Sequence, residues 1–150
     1  MGLDRRTALT GLLALTGLAA TGCGLLSPEP PPPHPLTGLL VETKQLLAQY
    51  DAVIAAYPNL RDLLAPFREN HAAHLRELDR LVVPRPSGSP SVTPSAAAPA
   101  SEEAALEEIR MAEKAAQESA MRACLSAKPE YAELTGAIAA CRATHQEELS

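Results

Sequence analysis

An all-α fold is what this sequence predicts: four helices, arranged as two antiparallel helical hairpins joined by a Pro/Ser-rich connection. Three observations carry that prediction. Four segments space their apolar residues alternately by three and four, the period of an amphipathic helix. Proline punctuates the chain where those segments stop. No segment alternates apolar and polar residues over the length of a strand.

Residues 1–22 read as an export signal. Asp4-Arg5-Arg6-Thr7 is polar, and residues 8–21 are apolar and uncharged. That run is shorter than the roughly 20 residues a membrane-spanning helix takes. Ala20-Thr21-Gly22-Cys23 resembles the lipobox of bacterial lipoproteins. The resemblance implies that Cys23 is lipidated and leads the mature chain. A multi-acyl anchor gains roughly 0.8 kcal/mol per buried methylene and holds stably. The implied location is the extracytoplasmic face of the cell membrane, with the membrane as partner through Cys23. Arg5-Arg6-Thr7-Ala8-Leu9 resembles a twin-arginine signal. Paired arginines also occur in ordinary secretory signals, so both export routes stay open. Residues 23–35 then form a Pro-rich tether, extended at about 3.1 Å per residue, in which His34 reads as a solvated linker residue.

The helical domain is expected over 36–150. The first helix spans 36–57 and stops at Pro58. The second spans 60–83, with Asn59 as its N-cap, Asp62 three residues on, and a kink at Pro66. The third spans 102–127, capped by Ser101, with Glu102 and Glu103 at the positive end of its dipole. The fourth begins at Pro129, a residue suited to a first helical position. Between the second and third helices lies 84–100, a low-complexity Pro/Ser/Ala segment read as disordered. Its reach of roughly 50 Å exceeds the roughly 30 Å a crossover along a bundle needs. It serves equally well as a slack loop between neighbouring helix ends.

The net charge is −5. Asp4, Arg5 and Arg6 together contribute +1, which leaves −6 on the remainder. An acidic chain with 3% aromatic residues excludes nucleic acid as a partner, and no protein partner is legible. With Cys23 lipidated, Cys124 and Cys141 remain, and an oxidising compartment favours a disulfide between them. In a regular hairpin Cys141 lies level with residue 117, about 10 Å from Cys124. A bridge, whose Cα atoms lie within about 6.8 Å, therefore requires the third helix to fray or end early.

Polar residues interrupt the apolar stripes. The second helix reads Leu60, Phe67, His71, His74, Leu78, Leu81; the third reads Leu106, Ile109, Glu113, Ala116, Ala120, Ala123. The fourth reads Tyr131, Leu134, Ile138, Cys141, His145, and Glu42 lies on or beside the seam of the first. Residues equidistant from a tight turn lie side by side, which places Glu42 beside His74 and Glu113 beside His145. Burying a lone carboxylate costs several kcal/mol, so each needs a partner or a cation. Met111 and Met121 are read as packing residues. Glu107, Glu108, Glu118, Glu147 and Glu148 are read as a solvated face.

The hairpin–connection–hairpin layout, Glu42, Phe67-Arg68-Glu69-Asn70-His71-Ala72-Ala73-His74, Glu113 and Ala139-Ala140-Cys141-Arg142-Ala143-Thr144-His145 resemble the ferritin-like four-helix domains of actinobacterial lipoproteins. Di-iron members carry Glu on helices one and three and Glu-x-x-His on helices two and four. Glu42, His74, Glu113 and His145 match that pattern, while His71 and Arg142 stand where the bridging glutamates would be. The resemblance therefore implies a single transition-metal ion, or none, rather than a di-iron centre, with His71 as a spare ligand. If 84–100 is a crossover, the two Glu–His levels miss each other by about 10 Å. The same residues also suit a metal-free set of paired polar groups. No Ser-His-Asp arrangement, phosphate loop or Cys-x-x-Cys is present, so the expected role is non-catalytic binding or scaffolding in the cell envelope. The alternative is a metal-binding protein or oxidase.

Overall fold

A computed structural model describes residues 32–82 and 99–150. The expected signal peptide, Cys23, most of the 23–35 tether and most of the 84–100 connection lie outside the described residues. Those described form four α-helices: α1 (Thr37–Ala56), α2 (Arg61–Leu81), α3 (Glu102–Ser126) and α4 (Pro129–Glu148). A 3-10 turn, Pro58–Leu60, joins α1 to α2. No strand occurs among the described residues, and none of their helices is long and apolar enough to cross a membrane.

Local chemistry sets the starts of α3 and α4. Ser101 is extended, and its side chain accepts a hydrogen bond from the Ala104 amide at 3.2 Å. That satisfies one of the free donors of the first turn of α3. Pro129 opens α4, where a missing N–H costs nothing. Asn59 is not the N-cap of α2. The 3-10 turn intervenes, Leu60 is the boundary residue, and the Asn59 amide donates instead to Glu102 at 3.1 Å. α2 runs on through Pro66. His34 is likewise no free linker residue: its Nδ1 accepts from the Leu36 amide and its Nε2 meets the Tyr131 hydroxyl, both at 3.2 Å. It pins the start of α1 to α4.

Cross-helix contacts give the directions. Lys44 meets Asp79 and Asp51 meets Arg68, so α1 and α2 are antiparallel. Glu113 meets His145, the Ala116 carbonyl meets Arg142, and Cys124 meets the Ala132 carbonyl, so α3 and α4 are antiparallel. Tyr50 meets Glu113 and Tyr57 meets Pro99, so α3 also runs against α1. Val82, after α2, shares an apolar cluster with Leu36 and Leu40 at the start of α1. Ala105, early in α3, shares another with Val53 and Ile54 at the end of α1. The chain between α2 and α3 therefore joins opposite ends of the bundle.

A polar layer separates those two clusters. Thr43 lies between Leu40 and Leu46 on α1, and His71 and His74 between Phe67 and Leu78 on α2. Arg142 and His145 follow Ala139 on α4. The buried face of α4 reads Thr135, Ile138, Ala139, Arg142, His145. It is turned by about one residue from the apolar stripe, which leaves Cys141 half-buried and brings Arg142 inside. Met111 and Met121 are exposed rather than packed, and the five glutamates read as a solvated face are exposed.

Arg142 is wholly buried. Its Nη1 donates to the Glu42 carboxylate and, at 2.8 Å, to the Ala116 carbonyl. Its Nη2 donates to Thr43 Oγ1 at 2.8 Å. One guanidinium thus ties α1, α3 and α4 together. Arg142→Ala is expected to lower the unfolding free energy by about 3 kcal/mol, the lower end for a broken buried pair because Glu42 keeps 28% exposure. Arg142→Met combined with Glu42→Gln should recover most of that loss. Urea denaturation of the three proteins reads both effects.

Candidate metal centre

One carboxylate oxygen organises the middle of the bundle. Glu113 projects from α3 into the polar layer with no exposure. Its Oε1 accepts hydrogen bonds from Tyr50 Oη at 2.6 Å, His71 Nε2 at 2.6 Å and His145 Nδ1 at 3.1 Å. Each helix therefore contributes one side chain. The ligating atoms of His71, Glu113 and His145 lie within 4.8 Å of one another.

The surrounding shell is aromatic and partly polar. The His71 ring lies 5.1 Å from Tyr50 and 5.0 Å from His145, and Phe67 lies 4.8 Å from His145. The far nitrogen of His145, Nε2, has two neighbours: Asn70 Nδ2 at 3.1 Å and Cys141 Sγ at 3.3 Å. Among the described residues four buried side-chain atoms have no hydrogen-bond partner: His71 Nδ1, His74 Nδ1, Glu113 Oε2 and Arg142 Nε. All four lie on this layer.

The protonation states follow from these contacts. Burial pushes the Glu113 pKa up. Hydrogen bonds from His145, His71 and the Tyr50 hydroxyl outweigh it and hold Glu113 at about 2. Burial disfavours charge on His145 too. Hydrogen bonding to Cys141 and to Glu113, with the Glu113 charge, overcomes that and raises it to about 9. Burial holds His71 below its ordinary value despite the Glu113 bond, so it is the neutral ring, donating through Nε2 and leaving Nδ1 bare. Burial also lowers His74, to about 4, with His71 and Arg142 adding to the effect. Burial and then the Glu113 charge raise Tyr50 far above its ordinary 10.0, so the phenol keeps its proton.

Of the residues singled out in the sequence, the structure brings His71, Glu113 and His145 together. Glu42 stands apart, its carboxylate on Arg142. His74 stays beside the cluster, its ring 6.1 Å from that of His71, without bonding to Glu113. Glu113 is level with Tyr50, eight residues and about 12 Å beyond Glu42 on α1. That is the offset a crossover imposes on the two Glu–His levels. Tyr50 is the member that the sequence reading overlooks. It sits on the stripe Leu39, Thr43, Leu46, Tyr50, Val53, and a buried phenol needs a hydrogen-bond partner.

Cys124 and Cys141 are free thiols rather than the expected disulfide. The α3–α4 pairing sets Cys141 level with residue 117. Cys124 instead lies against Gly136 and the Ala132 carbonyl, about two turns away.

Comparison with known proteins found no matching family model, no matching curated protein and no matching solved structure.

These protonation states predict how stability of the metal-free protein varies with pH. Glu113 falls from 4.5 to about 2 on folding, so its contribution is present above pH 4.5 and is lost as pH falls toward 2. His71 and His74 fold as neutral rings, so stability drops as pH falls from 6.5 through about 4. His145 rises from 6.5 to about 9, so its contribution is complete below pH 6.5 and is lost as pH rises through 9. The melting temperature is expected to peak near pH 6.5 and to decline on both sides. His145→Gln should flatten the alkaline limb, and His74→Gln should soften the acid one. Melting curves from pH 3 to 10 check this, and an alkaline limb unchanged in His145→Gln would contradict it.

Proposed function

We propose that this chain binds a single transition-metal ion in the core of a ferritin-like bundle, held by a lipid anchor on the extracytoplasmic face of the membrane. The observation that carries the reading is the buried His71–Glu113–His145 cluster, whose ligating atoms come from three helices and lie within 4.8 Å of one another. Two imidazoles and a carboxylate are a common ligand set for such ions. The unpartnered Glu113 Oε2 gives the carboxylate a second coordinating oxygen. The α1–α2 and α3–α4 pairs, with a connection joining opposite ends, support the ferritin-like reading of the fold. The lipobox-like run ending at Cys23 supports the anchor.

Arg142 favours one ion over two. Its guanidinium already neutralises Glu42, and a second cation in the layer would meet that fixed charge. Buried ligands and the absence of a catalytic motif in the sequence support a non-catalytic role. A second reading, a metal-free polar core that sets helix register, is favoured by one observation: Glu113 Oε1 already accepts three hydrogen bonds.

Metal analysis of the full chain separates the two. After equilibration with Zn²⁺ or Fe³⁺ and removal of excess, one ion per chain is expected. His71→Gln, Glu113→Gln and His145→Gln should each lose it, while Glu42→Gln and His74→Gln should keep it. Bound ion should raise stability by about 2.7 kcal/mol at a hundredfold excess over Kd. A melting temperature that stays constant across a chelator series, with no retained ion, would leave only the metal-free core.

A further inference from the structure

We propose that Tyr50 is the fourth ligand of this centre, and that the completed site selects a hard trivalent cation of the ferric class. The inference rests on the metal-binding reading above and deepens it. Its geometric basis is that three donors, one from each of three helices, converge on Glu113 Oε1, the donor from the fourth. Tyr50 Oη lies as close to Glu113 Oε1 as His71 Nε2 does, at 2.6 Å, with His145 Nδ1 at 3.1 Å. Tyr50 has no exposure, and its hydroxyl is directed at the one carboxylate that also gathers both imidazoles.

The spacing suits an ion after a small expansion. A tetrahedral ion with ligands at about 2.1 Å sets them roughly 3.4 Å apart. The three separations from Glu113 Oε1 fall short of that by less than about 1 Å each. Rotation of the Glu113 carboxylate, whose Oε2 has no partner, opens the space without moving a helix.

The donor set selects the ion. It consists of two oxygens that ligate as anions and two imidazole nitrogens. Sulfur is outside it, because Cys141 Sγ lies 3.3 Å from His145 Nε2, the ring edge away from Nδ1. Hard anionic oxygens without thiolate suit a hard ion. A phenol ligates as phenolate: the O–H bond breaks, a metal–oxygen bond forms, and the proton leaves to solvent. Replacing the phenol O–H bond by a metal–oxygen bond takes a strong Lewis acid. A trivalent ion meets that demand better than a divalent one. No electron transfer is involved when the ion is supplied as Fe³⁺.

The test uses the full chain loaded with ferric nitrilotriacetate. Expected are one ferric ion per chain, a visible phenolate-to-iron charge-transfer band, and tyrosinate ring modes in resonance Raman spectra excited within that band. Tyr50→Phe, checked for fold by circular dichroism, should abolish the band and weaken ferric binding by at least about tenfold. The Raman measurement on the unmodified chain stands even if that variant does not fold. Stoichiometric iron without the band, or a band that survives in Tyr50→Phe, overturns the ligand assignment and leaves the metal-binding reading intact. Retention of Zn²⁺ with no ferric binding overturns the trivalent selectivity alone. A chain that binds neither ion overturns both readings.

Discussion

The Glu113 carboxylate, taken wholly out of water, is the constraint around which the rest of the bundle is arranged. An uncompensated buried carboxylate costs several kcal/mol, so the fold forms only if donors arrive from other helices. Tyr50, His71 and His145 are those donors, one from each remaining helix. Their convergence sets the relative height of all four helices. Apolar packing alone does this poorly, because small-residue stripes such as Ala116 and Ala120 slide past one another at little cost. A charged oxygen with directional bonds does not tolerate a slip of one turn.

Arg142 and Glu42 form a second polar tie in the same layer. Glu113 with a protonated His145, and Glu42 with Arg142, make two opposed ion pairs, so the layer balances its own charge. That balance explains how two apolar clusters can be separated by so many polar groups. It also bears on ion binding. An entering cation must displace the His145 proton, while the guanidinium stays fixed beside it. Of the four atoms left without partners, Glu113 Oε2 and the bare His71 Nδ1 are acceptors, and Arg142 Nε is a donor. The spare lone pairs on Glu113 and His71 are the ones a cation would use.

Much of this was legible from local patterns. Helix periods, the Ser101 cap and Pro129 act within a turn or two of themselves, so spacing alone located the helices. The inward placement of His71, Glu113 and His145 follows from the same periodicity, and the level match of Glu113 with His145 follows from a tight α3–α4 turn. Asn59 failed as a cap because a 3-10 turn displaced the helix start, and its amide found Glu102 across the bundle instead. Cys141 and Arg142 exchanged roles through a rotation of α4 by about one residue, an outcome of packing against α1 and α3 that no stripe on α4 encodes.

What the sequence by itself determined is therefore the set of elements and the residue types on each inner face, because these depend on backbone period and capping within one segment. Only the tertiary structure decided which inner faces share a level. The chain between α2 and α3 joins opposite ends of the bundle, which offsets α1 by about 12 Å and brings Tyr50, rather than Glu42, to Glu113. Glu42 is left to Arg142. The physical reason is that vertical register is a property of helix pairs far apart in sequence, fixed where buried charge finds its donors.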